Sequence, residues 1–380
     1  MARIRARRAA SVEPVIVVLA PDSFKGTLGA ADAAAALAEG WRRARPDDDI
    51  VLLPMADGGE GTLAAFATAV PDAERVAVRV VGPDGAEIDS AWLRLPPTAE
   101  APGGTAIVEL GATSGIELLF ELRPLDAHTY GLGQAIAAAL AIGVSRVVVG
   151  LGSSASTDGG TGMLRALGAR FRDADGGDVP LGGAGLAAIT EVDLSGMTAL
   201  PPGGVGALTD VTNPLLGRRG AAAVFGPQKG ADPAQVARLD AGLANLARLV
   251  DADPITPGAG AAGGTGFGLL AWGATLEAGA SAVSQLIGLP AAAAAASVVI
   301  TGEGSFDGQS AAGKVPTYVA SLAGGARVAL VAGRITADAD TSAFAASLSL
   351  TELAGSPEQA MAETASWLRD AGERFAREFD

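Results

Sequence analysis

The chain has 380 residues, 49% of them hydrophobic and much of that alanine, with 42 acidic against 27 basic side chains and a formal charge of −15. That length suits two domains of about 150 residues or more each, and the negative charge argues against a broad electrostatic grip on nucleic acid or an anionic membrane. With no cysteine and one histidine, His128, the sequence excludes disulfides, thiolate chemistry and multi-histidine metal sites, and a Ser-His-Asp hydrolase would have to be built around that single residue.

Taken in order, the first 14 residues, "MARIRARRAASVEP", carry four arginines without an apolar core or cleavage signal, and read as a disordered basic tail outside the fold. "VIVVLA" (15–20) predicts a buried strand leading to an alanine-rich helix around 28–45, and "IVLLPM" (50–55) a strand leading through "ADGGEG" to a helix around 61–69. From 76 to 95 the pattern alternates and turns at "GPDG", as a hairpin does. Glycine-rich segments follow to about 290. Then "SVVIT" (297–301), "RVALVAG" (327–333) and "LSLTEL" (348–353) alternate with helices, the last over 357–379. Short, fully apolar strands separated by helices imply a parallel sheet covered on both faces. The expected organisation is α/β: a doubly wound domain from 15–75 and 292–380, with a second α/β domain, 76–291, inserted. No apolar run reaches the roughly 20 residues that span a bilayer, and the lack of cysteine suits a reducing cytoplasm.

Ligands in open α/β sheets bind beyond the carboxyl ends of the strands, and five polar motifs fall there. "APDSFKGTLGA" places Asp22, Ser23 and Lys25 where a strand gives way to a helix, so a hydroxyl, a cation and helix-start amides converge on an anion; it lacks the glycine spacing of a dinucleotide site. "PMADGGEGT" sets Asp57 and Glu60 around a Gly-Gly pair. Glu60 would favour the positive end of the next helix, an excuse Asp57 lacks, and the loop is expected on the same sheet edge as Lys25. "GLGSSASTDGG" (150–160) matches in its first six residues the phosphate loop of the galactokinase–homoserine kinase superfamily, without that family's preceding proline; alternatively Asp158 caps the following helix. "LTDVTNPLLGRRGAAAVFGPQKGA" (208–231) puts Asp210 beside Asn213, oxygen ligands suited to hydrated magnesium, while Arg218, Arg219 and Lys229 read as solvated charge and "GAAGGTGFGLLAW" (260–272) as a glycine-eased turn into a helix. "TGEGSFDGQSAAGKVP" (301–316) contains G-x-x-x-x-G-K but has Val315 where a P-loop needs Ser or Thr; Glu303 and Asp307 still emerge from a strand end, and Lys314 precedes a helix, suited to a phosphate or carboxylate. His128, in "LDAHTYG", reads as a surface or cap residue.

Together, in this order, the five motifs resemble the bacterial glycerate kinase family that phosphorylates D-glycerate at the 2-position, over about residues 15–375. The resemblance implies ATP and Mg2+, a 2-phosphoglycerate product, and two α/β domains, one flavodoxin-like, with the site in the cleft between them. It favours that family over the six-residue superfamily match. Where the family usually reads "GGSATNDGG" this chain has "GSSASTDGG", with Ser153 for Gly and Thr157 for Asn; His128 stands where threonine is common and Ser305 where arginine is common, a loss that would alter affinity for an anion. On this basis Lys25 with Ser23, together with Asp307 and Lys314, are candidates for holding glycerate or the transferring phosphoryl group. Asp57 or Asp210 is the base, Asp210 and Glu303 are metal candidates, and Ser153, Ser154, Thr157, Asp158, Gly159 and Gly160 are the phosphate cradle. A kinase for another small hydroxy or sugar acid shares every motif argument, and a non-catalytic anion-binding protein would share the fold. The sequence is silent on oligomeric state and leaves a homo-oligomer open.

Overall fold

A computed structural model describes residues 14–308 and 314–379. The basic tail therefore lies outside the described residues except for Pro14, as does the stretch 309–313. Among the described residues the strands, in chain order, are β1 (Ile16–Pro21), β2 (Asp49–Leu52), β3 (Glu74–Val81), β4 (Glu87–Leu95), β5 (Thr105–Glu109), β6 (Arg146–Gly150), β7 (Arg170–Arg172), β8 (Glu191–Asp193), β9 (Val205–Leu208), β10 (Thr275–Glu277), β11 (Val298–Phe306), β12 (Arg327–Ile335) and β13 (Ala346–Ser349).

Packing divides them into two compact units, one formed by the described residues up to Met55 and from Gly288 on, the other by Ala56–Ile287. Unit one holds a five-stranded sheet in the order β13-β12-β11-β1-β2, parallel throughout. Its strands are apolar on both faces because helices cover both. On one face Val17, Leu19, Ile300 and Val331 pack with Leu37 and Trp41 of helix Ala30–Ala44 and with Leu368 and Phe375 of helix Thr364–Glu378. The first of these helices is alanine-rich, with Ala33, Leu37 and Trp41 one turn apart on its buried side, Asp32 in its first turn and Arg42 and Arg43 in its last. The two helices cross at glycine. A Cβ at Gly40 would lie 1.9 Å from Arg369 O, and one at Gly372 2.3 Å from Leu37 O.

Unit two holds a six-stranded mixed sheet, β10-β9-β6-β5-β4-β3, and a small β7-β8 ribbon. β10, β9, β6 and β5 run parallel; β4 and β3 are antiparallel additions. The expected hairpin is present, Val81 pairing with Glu87 across the "GPDG" turn. Trp92, Val108, Val147 and Val149 of the sheet pack with Leu132 and Ile136 of helix Tyr130–Ala141 and with Leu239, Leu243 and Leu246 of helix Pro233–Leu249. The latter opens on a capping box between Asp232 and Gln235, with proline in its first turn.

Three expectations change. "LSLTEL" is a strand only to Ser349, whose hydroxyl accepts the Glu352 amide and starts helix Leu350–Ala354. The helix expected over 357–379 is two helices, Pro357–Ala362 and Thr364–Glu378. The second unit begins at Ala56, before residue 76, because helix Thr62–Ala69 packs on β4 and β5.

Candidate active site

At the carboxyl edge of unit one, β1 ends at Pro21 and the chain turns over β11, where the Asp22 amide donates to Gly302 O at 2.8 Å. Asp22 Oδ1 accepts the Ser23 amide at 2.7 Å. Phe24, 2% exposed, pins this loop to the core, which leaves Lys25 next to it exposed. Gly304 lies beneath: a Cβ there would be 3.2 Å from the Lys25 nitrogen. The end of β11 carries Glu303, Ser305 and, one residue beyond, Asp307. Lys314 approaches all three, its Nζ 3.8 Å from Glu303 Oε1 and 3.3 Å from Asp307 Oδ1, and donates to Ser305 O at 3.4 Å. The two carboxylates thus already balance much of the Lys314 charge.

Unit two gathers its polar groups at the carboxyl ends of β5, β6 and β9. The loop Ala56–Gly61 follows β2, which pairs in parallel with β1 and so leaves the same sheet edge as the loop of Lys25, as expected; it packs backbone to backbone with the glycines after β6. Gly58 O accepts the Gly152 amide at 3.0 Å, a Cβ at Gly152 would sit 2.2 Å from Gly59 Cα, and one at Gly150 2.7 Å from Gly58 O. Glu109, the last residue of β5, secures the far end of the loop by accepting the amides of Gly61 at 3.2 Å and Leu63 at 2.9 Å, capping helix Thr62–Ala69. Burial pushes the Glu109 carboxyl above its ordinary range, against the opposing pull of those amides. Asp57 Oδ1 takes the Gly59 amide at 2.8 Å. Asp210, exposed just past β9, takes the Gly279 amide on Oδ1 at 2.9 Å. A Cβ at Gly279 would lie 2.0 Å from Asp57 O, so the Asp57 backbone and the Asp210 carboxylate both meet one glycine.

The stretch after β6 does two things. Ser153 lies half-exposed with φ 56°, the left-handed region that glycine adopts without cost, and Ser154 pairs with Gly115. Asp158, fully buried, accepts from Thr129 N at 2.9 Å, Thr129 Oγ1 at 2.8 Å, and Ser156 Oγ, Gly160 N and Gly162 N each at 3.2 Å. The amides that begin helix Thr161–Ala166 are therefore satisfied from within, and Asp158, Gly159 and Gly160 form a buried cap. The Thr157 hydroxyl is buried without a partner, as is that of Ser114, whose carbonyl accepts the Ala155 amide.

Two residues differ from their sequence reading. Lys229, expected at the surface with Arg218 and Arg219, is 2% exposed. Its ammonium donates to Ser154 Oγ at 2.6 Å and to Ser156 O at 2.5 Å. Burial pushes it down from 10.5 to about 7, with the charge of Asp158 working the other way. No periodic signal announces it, since "GPQKG" sits in irregular backbone; its burial is set by the loop it holds. His128 is buried at 5% exposure rather than at the surface, and Nδ1 accepts the Tyr130 amide at 3.4 Å at the start of helix Tyr130–Ala141, a cap in part. Burial pushes its pKa below the usual 6.5, against Asp158.

Among the described residues no group of three or more Asp, Glu or His side chains is arranged to hold a metal ion. One or two carboxylates suit magnesium, which keeps waters and shares phosphate oxygens, and Asp210 fits: an amide on one oxygen fixes its direction. Asn213 donates Nδ2 to Arg219 O at 2.7 Å. A groove of about 1060 Å³ lies apart from these motifs, among Thr105, Arg146, Glu277 and Leu286.

Parallel strands that present carboxylates, hydroxyls and ammonium groups at their carboxyl ends define an α/β protein equipped for transfer of an anionic group without thiol chemistry. Comparison with known proteins narrows the class. The glycerate kinase family model matches residues 17–380. The chain is 42% identical over 317 residues to the glycerate 2-kinase of Escherichia coli K12, covering 81% of each protein, and 41% identical to a glycerate kinase of Haemophilus influenzae, covering 80% of this chain and 82% of that one. A solved structure from Salmonella typhimurium LT2, described as a candidate glycerate kinase 2, superposes with a TM-score of 0.81 at 37% identity, covering 96% of this chain and 98% of that one. The chain belongs to the glycerate kinase family. It is accordingly a kinase and uses a nucleotide; no helix among the described residues is long and apolar enough to cross a membrane.

Proposed function

We propose that the chain transfers the γ-phosphoryl group of ATP to the 2-hydroxyl of D-glycerate, giving 2-phosphoglycerate and ADP. The observation that carries this reading is the convergence of the Asp57 backbone and the Asp210 carboxylate on Gly279 in a chain of this family. The 2-oxygen forms a bond to the γ-phosphorus as the bond from that phosphorus to the β–γ bridging oxygen breaks. The hydroxyl proton passes to a carboxylate, that of Asp57 or Asp210. Lys25 with Ser23 holds the acid, and Lys314, steered by Asp307, serves the acid or the transferring phosphoryl group. The Ser153–Ser154 turn faces the nucleotide phosphates through backbone amides, while Thr157, Asp158, Gly159 and Gly160 keep that turn in shape from below. Asp210 and Glu303 are the residues suited to Mg2+, which when bound offsets phosphate charge. ATP consumption with magnesium and D-glycerate, coupled to enolase without phosphoglycerate mutase, tests both claims. Enolase signal is expected; ADP without it would place the phosphate on the 3-hydroxyl, and no ADP would turn the search to other hydroxy acids.

A further inference from the structure

A cation outside the five motifs stands at the carboxyl edge of unit one. Arg334 lies in β12 directly beside Ser305 of β11, and its Nε donates to Ser305 Oγ at 3.0 Å. Ser305 O accepts the Lys314 ammonium. A guanidinium and an ammonium from different elements therefore meet on one residue, between Glu303 and Asp307. Their charge balance differs. Lys314 has both carboxylates within ion-pair range, whereas Arg334 is exposed and has no carboxylate partner among the described residues. A guanidinium anchored through Nε keeps its two terminal nitrogens as a planar fork, the shape that receives a carboxylate in two parallel hydrogen bonds. The anchoring is tight at this point: a Cβ at Gly333 would lie 2.4 Å from Gly304 O, so β12 runs close against β11 just where the arginine leaves it.

We propose that Arg334, aimed by the hydroxyl of Ser305, grips the carboxylate of the substrate and sets the preference for an acid over an uncharged polyol. The proposal rests on the reading that the acid is bound at the carboxyl edge of unit one. Lys314, balanced by Glu303 and Asp307, is left to the phosphoryl end.

Steady-state kinetics on the full chain test it, with thermal unfolding as a check of the fold. Arg334→Ala is expected to raise KM for glycerate about tenfold or more, the worth of one charge-assisted bond, with kcat and the nucleotide KM within about twofold of the parent. Arg334→Lys should recover part of this, because an ammonium supplies the charge without the fork. The exchange Ser305→Arg with Arg334→Ser, which moves the guanidinium by one strand spacing of about 4.8 Å, should recover most of it; these two variants decide the matter if Arg334→Ala unfolds. An unchanged glycerate KM in Arg334→Ala beside a raised one in Lys25→Ala would overturn the proposal and leave the edge as the acid site. Unchanged values in both would remove the edge reading and the proposal with it. A loss in kcat alone would also overturn it, since the arginine would then serve the reacting phosphoryl group.

Discussion

The Asp57 backbone and the Asp210 carboxylate meet at Gly279, and each side chain already has one oxygen directed by a backbone amide. Such a carboxylate is aimed before substrate arrives, which is what a general base requires. Replacing the one that serves as base with Asn should lower kcat by about 10²–10⁴ with nucleotide binding retained, whereas loss of a metal ligand should raise the magnesium concentration needed for half-maximal rate. Turnover against Mg2+ with both variants separates the roles. Lys229 offers a prediction in pH. The folded chain releases this proton near pH 7 and the unfolded chain near 10.5, so between those values the unfolded state binds more protons and stability rises with pH; below about 7 the whole cost of the buried charge is present. Denaturant titrations should show the wild type gaining stability from pH 7 to 10, by up to a few kcal/mol, and Lys229→Met losing that slope. Asp57 was legible as a candidate in the sequence because a carboxylate beside Gly-Gly has no easy structural excuse. Lys229 was not, because its meaning depends on Ser154 and Ser156, more than 70 residues away in the chain.

Loops are the elements that make this site, and their glycines hold two of them against each other. Gly152 has no room for a side chain against Gly59, so Gly152→Ala should push the Asp57 loop off the end of β6. The expected result is a folded protein with turnover reduced at least tenfold, the cost of about 1.4 kcal/mol or more in misplaced groups, read by kcat beside a near-UV spectrum. Ser153 presents the opposite case. Its φ of 56° is strained for a residue with a Cβ, so Ser153→Gly should raise stability by about 0.5–1 kcal/mol, measured by chemical denaturation. Glu109 couples the same loop to pH. Its carboxyl titrates above the ordinary range when folded, so the stability it contributes through its proton is complete below about 4.5 and is lost as pH rises through the folded value. Glu109→Gln should flatten that dependence while keeping one acceptor for the helix amides. The glycine motifs stood out in the sequence, yet which glycine opposes which depended on the pairing of strands distant in the chain.

Across the whole molecule, each unit has a hydrophobic core of its own, but only unit two is continuous in sequence. The segment 56–287 is therefore expected to fold alone, with a cooperative thermal transition and native near-UV signal, and without kinase activity, since Lys25, Glu303 and Lys314 lie outside it. A fragment lacking a cooperative transition would show that its core depends on unit one. Unit one cannot be cut out in the same way, because β1 pairs with β11 and the sheet needs both ends of the chain.

Local chemistry in the sequence was enough to determine the α/β class, the strand-end position of the polar motifs, the family resemblance and the exclusion of thiol and multi-histidine chemistry, because apolar period, turn residues and residue counts are written locally. It also determined Asp57, Asp210 and Lys25 as candidates, since each stands at a strand end where packing does not require it. Tertiary structure decided what proximity alone confers: that the Asp57 loop rides on β6 and β9, that Asp158 turns inward as a cap, that Lys229 is buried under the serines, and that Arg334 stands beside Ser305. Those facts depend on register and burial between segments far apart in the chain, and the local pattern of residues encodes neither.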